Sequence, residues 1–114
     1  MKKLGFVNNA ARVETRLLPA DIRRALGFQL LRVQHGDLPR DFKPMKTIGS
    51  GVFEIRILSS SGSNVGRCFY VTKFDDVIWV LHSFLKSSRK TPRLSLEIGR
   101  RRLRELTENL RRGL

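Results

Sequence analysis

Glu54, Arg56, Arg67, His82 and Lys86 combine residue types that could cut a phosphodiester. Internal attack by a ribose 2′-hydroxyl needs three things and no metal: a base for the hydroxyl proton, a cation for the charge gathering on phosphorus, and an acid for the leaving 5′-oxygen. Glu54 and His82 are the candidate proton carriers, and Arg56, Arg67, Lys86 and Lys90 the candidate phosphate binders. An unperturbed imidazole titrates near pH ~6.5, and flanking cations favour its neutral, basic form. Each candidate also has an ordinary structural reading. A lone His ending an apolar strand is often a packed, hydrogen-bonded residue, and Glu54 opposite Arg56 or Arg67 would be a common cross-strand ion pair.

A second set of residues suits holding RNA rather than cutting it. Lys46, Arg89, Lys90 and Arg93 supply positive charge, and Phe84 lies just beyond an apolar strand run, where its ring can stack on an unpaired base. Phe69, Tyr70, Phe74 and Trp79 read as core, and His35, next to Gly36, as a helix cap. Gly49-Ser-Gly51 lacks the Lys-Ser/Thr and helix of a nucleotide-binding loop. The single Cys68 has no second Cys for a disulfide or zinc site and reads as a small strand residue. No metal or cofactor is expected.

These residues need a sheet to bring them together. Val52–Leu58 alternates Phe53, Ile55 and Ile57 with Glu54 and Arg56; Val65–Val71 follows a SSSGSN turn, and Val77–Leu81 follows Asp75-Asp76, which predicts a three-strand meander. Val77–Leu81 reads as a buried strand whose charged exit, from His82 to Lys90, reaches the surface. Leu4–Val7 predicts a first strand, followed by a short helix. From Pro19 to Gln34 the apolar residues fall at helical spacing, with Gly36 as the stop. Pro39–Pro44 suits a short edge strand. Thr91 and Pro92 read as the N-cap and first residue of a basic helix reaching about Arg112. Its narrow stripe, Leu96, Gly99, Leu103, Leu106 and Leu110, predicts docking along one edge.

The chain has 114 residues, a length that predicts one domain over 1–114. Its formal charge of +13, from 23 basic and 10 acidic residues, points to an anionic partner. Much of the excess lies from Lys86 onward, where Lys86, Arg89, Lys90, Arg93, Arg100, Arg101, Arg102, Arg104, Arg111 and Arg112 meet only Glu97, Glu105 and Glu108. No apolar run has membrane-spanning length and the N-terminus lacks a signal-like apolar region, so no membrane partner and a cytoplasmic location are expected.

The motifs, in order, resemble the HigB-like branch of the RelE/ParE toxin superfamily, phage-derived toxin-like proteins. Lys46 precedes the glycine turn; Gly51-Val-Phe-Glu-Ile-Arg56 is similar to a Gly-x-aromatic-Glu-Leu-Arg pattern and Arg67-Cys-Phe-Tyr70 to Arg-x-x-Tyr. The most specific piece is Leu81-His-Ser-Phe-Leu-Lys-Ser-Ser-Arg-Lys-Thr-Pro92, which resembles His-Ala-Phe-x-Lys-Lys-Ser-x-Lys-Thr-Pro. Ser87, Arg89 and Gly99 depart from the usual residues, and Gly99 costs its helix about 1 kcal/mol relative to Ala unless close packing compensates.

The resemblance implies an α+β fold: a RelE-like antiparallel sheet, meander plus N-terminal strand, with N-terminal helices packed on one face and a basic C-terminal helix. It also implies the toxin of a type II toxin–antitoxin system. Such a toxin is a ribosome-dependent messenger-RNA endonuclease that inhibits translation, and its partners are the ribosome, mRNA and a cognate helix-turn-helix antitoxin. ParE-like relatives act instead on DNA gyrase without cutting RNA, so fold does not choose the target. No helix-turn-helix pattern in this chain supports a DNA-binding role.

Overall fold

The computed structural model describes residues 1–86 and 92–113. Their elements run β1 (Lys3–Phe6), α1 (Asn9–Arg16), α2 (Ala20–Gln34), β2 (Phe42–Pro44), β3 (Val52–Leu58), β4 (Val65–Val71), β5 (Val77–Lys86) and α3 (Arg93–Arg111). Local chemistry sets the helix ends. The Asn8 side chain accepts the Ala11 N–H at 2.9 Å, relieving one of the unpaired donors at the start of α1. Pro19 and Pro92 are the N-caps of α2 and α3, and His35 closes α2 before Gly36 turns at φ 90°. Thr91, expected to cap α3, lies outside the described residues.

The strands form one sheet in the order β1-β5-β4-β3-β2. The β3-β4-β5 meander and the β2 edge are antiparallel, as their short turns require. β1 joins β5 in parallel, so the sheet is mixed rather than wholly antiparallel. One face packs Ile22, Leu26, Leu30 and Val33 of α2 against Ile55, Cys68, Tyr70, Ile78 and Val80. On the other, Leu106, Leu96 and Leu103 of α3 cover Phe69, Val71 and Leu81 together with Met45 and Ile48. Helix α3 therefore crosses the face opposite α2 instead of lying along an edge. Its buried side is wider than the expected stripe because Ser95 and Arg102 belong to it along with Gly99 and Leu106.

Glycine allows two close approaches. A Cβ on Gly99 would lie 2.9 Å from Ile48 and 3.1 Å from the Phe69 ring, so packing offsets the helix cost of this residue. Gly66 on β4 faces α2 so closely that a Cβ would collide with Ile22. Gly66→Ala should therefore lower stability by about 1–3 kcal/mol in thermal or urea melts, because the buried, branched Ile22 has little room to move.

Strand β5 does not end where its apolar run ends. It continues through Lys86, and His82, Ser83 and Lys86 are buried rather than exposed at a surface exit. The pairing also skips a residue, with Tyr70 opposite Val80 and Phe69 opposite His82, leaving Leu81 as a bulge. Ile78 and Val80 face α2, whereas both Leu81 and His82 lie on the α3 side, with Phe84 and Lys86 following His82. Because Leu81 is left out of the ladder, the end of β5 shares the face of Glu54 and Arg67.

Candidate functional site

Beyond the part of the face covered by α3, the strands bring a row of charges together. Strand pairing sets Lys43 beside Glu54 and Arg56 beside Arg67, with Lys86 two residues beyond Phe84, the partner of Arg67. Glu54 is fully buried, and Arg67 Nη1 donates to its Oε1 at 2.6 Å. Lys43 Nζ, half exposed, is 3.9 Å from the same oxygen. This is the cross-strand ion pair foreseen for Glu54, but in the interior instead of on an open face. Breaking it would strand a charge away from water.

Lys86 differs from its neighbours. It is 5% exposed, and its Nζ has no hydrogen-bond partner among the described residues. Burial, and then the positive charges of Arg67, Lys43 and Arg56, push its pKa down to about 8, with Glu54 opposing them. Arg56 Nε is likewise buried without a partner among the described residues. Desolvated cationic groups aimed at one patch can gain a charge-assisted hydrogen bond from an arriving phosphate oxygen.

His82 is tied into a different network. Its Nδ1 lies 2.8 Å from Glu14 Oε1 and its Nε2 3.2 Å from Ser95 Oγ. Arg102 donates through Nη1 and Nη2 to the two Glu14 oxygens at 2.7 and 2.9 Å, and through Nη1 to the Leu81 carbonyl at 3.0 Å. Burial alone would push Glu14 up, but the hydrogen bonds and charges of His82 and Arg102 outweigh it and bring the carboxyl down to about 2. An ionised Glu14 only accepts, so His82 Nδ1 carries the proton in this contact. Both ring nitrogens are thus occupied by the bonds that join α1, β5 and α3.

The other candidates are scattered. Phe84 is half buried and stacks on His82 at 4.9 Å while meeting Phe69 edge-on at 5.3 Å, so part of its ring is already covered. Lys46 is exposed in the connection before β3, and Arg93 is exposed at the start of α3, paired with Glu97 at 3.3 Å. Neither is brought by an ion pair or hydrogen bond into the charged row among the described residues. Arg89 and Lys90 lie outside those residues. Cys68 is a free, buried core thiol, as read, with its pKa pushed up to about 12 by burial.

Comparison with protein families identifies a match over residues 14–104 to the family described as phage derived protein Gp49-like (DUF891). The chain belongs to this family. It is a RelE/toxin-like family, a coarser placement than the HigB branch. No curated protein matches the chain. In this Gp49-like chain no helix among the described residues is long and apolar enough to cross a membrane.

Four residues of the Gp49-like site are not singled out by the sequence: Lys43, Glu14, Ser95 and Arg102, the last of which reads only as one of the basic residues of its helix. Lys43 had a usable signal, since an edge strand at Pro39–Pro44 puts it near the start of the meander. The others had none that pairs them, because Glu14 and Arg102 stand 88 positions apart.

Proposed function

We propose that this Gp49-like protein is the toxin of a type II toxin–antitoxin pair and cuts messenger RNA on the translating ribosome. The observation that carries this reading is the buried ammonium of Lys86, without a hydrogen-bond partner among the described residues, near Arg67 and Arg56. With a pKa near 8, Lys86 is partly neutral in the cell and suits proton transfer better than an ordinary lysine. In the reaction the neutral amine takes the 2′-hydroxyl proton and the oxygen attacks the neighbouring phosphorus. The P–O5′ bond breaks, and the products are a 2′,3′-cyclic phosphate and a 5′-hydroxyl end. Arg67 and Arg56 bind the phosphate oxygens as negative charge builds up. A water or a ribosomal group supplies the leaving-group proton. His82 leaves the catalytic set, because its hydrogen bonds serve the join between helices. The exposed Lys46 and Arg93, with Arg89, Lys90 and Phe84, are assigned to binding RNA. A cognate helix-turn-helix antitoxin restrains the toxin in the cytoplasm.

A second reading, a non-catalytic ParE-like inhibitor of gyrase, draws support from one specific observation. Glu54 and His82 are both engaged in structural bonds, which leaves Lys86 as the one remaining candidate proton carrier among the described residues. Mapping 5′ ends of cellular RNA after brief induction separates the two. New 5′-hydroxyl ends confined to translated frames, lost in Arg67→Ala and Lys86→Ala at matched protein levels, are the expected result. Growth arrest without new ends would transfer the assignment to a protein target. Equally efficient cutting of free RNA would remove the ribosome from the mechanism.

A further inference from the structure

Glu54 has no proton to move in this mechanism, yet it occupies the centre of the charged row. Cations reach that row from four strands: Lys43 on β2, Arg56 on β3, Arg67 on β4 and Lys86 on β5. Arg67 and Lys86 are both buried, so their mutual repulsion is weakly screened. Among the described residues Glu54 is the one carboxylate acting on Lys86. Its distances, 2.6 Å to Arg67 and 3.9 Å to Lys43, are those of a shared counter-ion.

We infer that Glu54 is a positioning residue whose buried carboxylate orients Arg67 and allows Lys86, Arg56 and Lys43 to gather on one patch of the sheet. Its value for catalysis rests on the RNA-cleaving reading above; its electrostatic role does not. Two consequences follow for Lys86. The carboxylate favours its charged form, opposing burial and the three neighbouring cations. Any pH limb of the reaction set by Lys86 must therefore respond to Glu54, although Glu54 touches no substrate.

The test is a titration of the full-length protein carrying ¹³C-labelled lysine, followed by NMR, with the Lys86 signal assigned by its loss in Lys86→Arg. In Glu54→Gln the Lys86 midpoint should move to lower pH by about one unit, as expected for loss of a nearby opposite charge. The pH–rate limb should move the same way. A glutamate that only packs would leave the midpoint in place even if the variant melted earlier, and that result would overturn the inference. If Glu54→Gln fails to fold, the double variant Glu54→Gln/Arg67→Gln, which removes both halves of the pair, should fold. Failure of the double variant to fold would overturn the inference too. A shifted midpoint in a protein that cuts no RNA would support the counter-charge role while removing the nuclease reading, so the two fail separately.

Discussion

Lys86→Met should reduce RNA cleavage by about 10²–10⁴-fold, the usual contribution of a positioned proton-transfer group, while making the fold more stable. The second half of this expectation follows from burial. Lys86 holds a buried ammonium near Arg67, Lys43 and Arg56, which Glu54 only partly offsets, with no hydrogen-bond partner among the described residues, and Met fills similar volume without a charge to desolvate. A gain of about 1 kcal/mol near neutral pH is reasonable for such an exchange.

The pH dependence has a definite sign. The folded pKa, about 8, lies below the ordinary 10.5, so between those values the unfolded chain binds more protons than the folded one. Stability of the wild type therefore rises with pH across that window. The advantage of Met should be complete below pH 8 and fade as pH approaches 10.5, which urea denaturation of both proteins would read directly. Lys86→Arg completes the comparison, because it keeps a cation but has no accessible neutral form. Cleavage retained in Lys86→Arg would exclude Lys86 as the proton carrier.

A large loss of stability should come from Glu14→Ala, at about 3 kcal/mol, the lower range for removing one partner of an ion pair whose other member is buried. The substitution leaves the Arg102 guanidinium, itself largely buried, facing an imidazole and a carbonyl without a counter-charge. The acid dependence should flatten as well. Glu14 is held at about 2, below its ordinary 4.5, so its contribution is complete above pH 4.5 and lost as pH falls through the lower value. Denaturation midpoints measured down the acid range would show a shallower decline for Glu14→Ala than for wild type. Equal slopes would mean that the Glu14–Arg102–His82 contacts contribute little in solution.

Much of the framework was readable from local pattern. The alternation in Val52–Leu58, the SSSGSN turn and the spacing of Ile22, Leu26, Leu30 and Val33 each encode their element within a few residues, so the meander and α2 appear where expected. An ion pair of Glu54 with Arg56 or Arg67 was also accessible, since two strands joined by a tight turn bring these charges near one another; the register then sets Arg56 beside Arg67 and leaves Glu54 to meet Arg67 diagonally. Burial was not. Glu54 alternates with apolar residues as a solvent-facing residue would, yet it is fully buried, opposite Phe69 in the ladder and bonded to the buried Arg67. Arg102 was equally opaque, because within Arg100-Arg101-Arg102 nothing local distinguishes the arginine that turns inward from those facing water. Its destination depends on a carboxylate on α1 that enters from the far end of the chain.

The bulge at Leu81 divides β5 into two halves written in opposite phase. Up to Val80 the even-numbered positions, Ile78 and Val80, serve the core beneath α2; from His82 onward the even-numbered positions, His82, Phe84 and Lys86, serve the other face. A single strand thereby satisfies two unrelated vocabularies, one of packing and one of charge, with one residue as the hyphen. Deleting Leu81 would leave Lys86 on its present face, whereas pairing Leu81 with Phe69 as an ordinary ladder residue would invert the site, turning Lys86 toward the opposite side of the sheet and Leu85 into its place. The charged row is therefore only as durable as one irregular hydrogen-bond pairing between β4 and β5, and sequence change in the two halves of the strand answers to separate constraints.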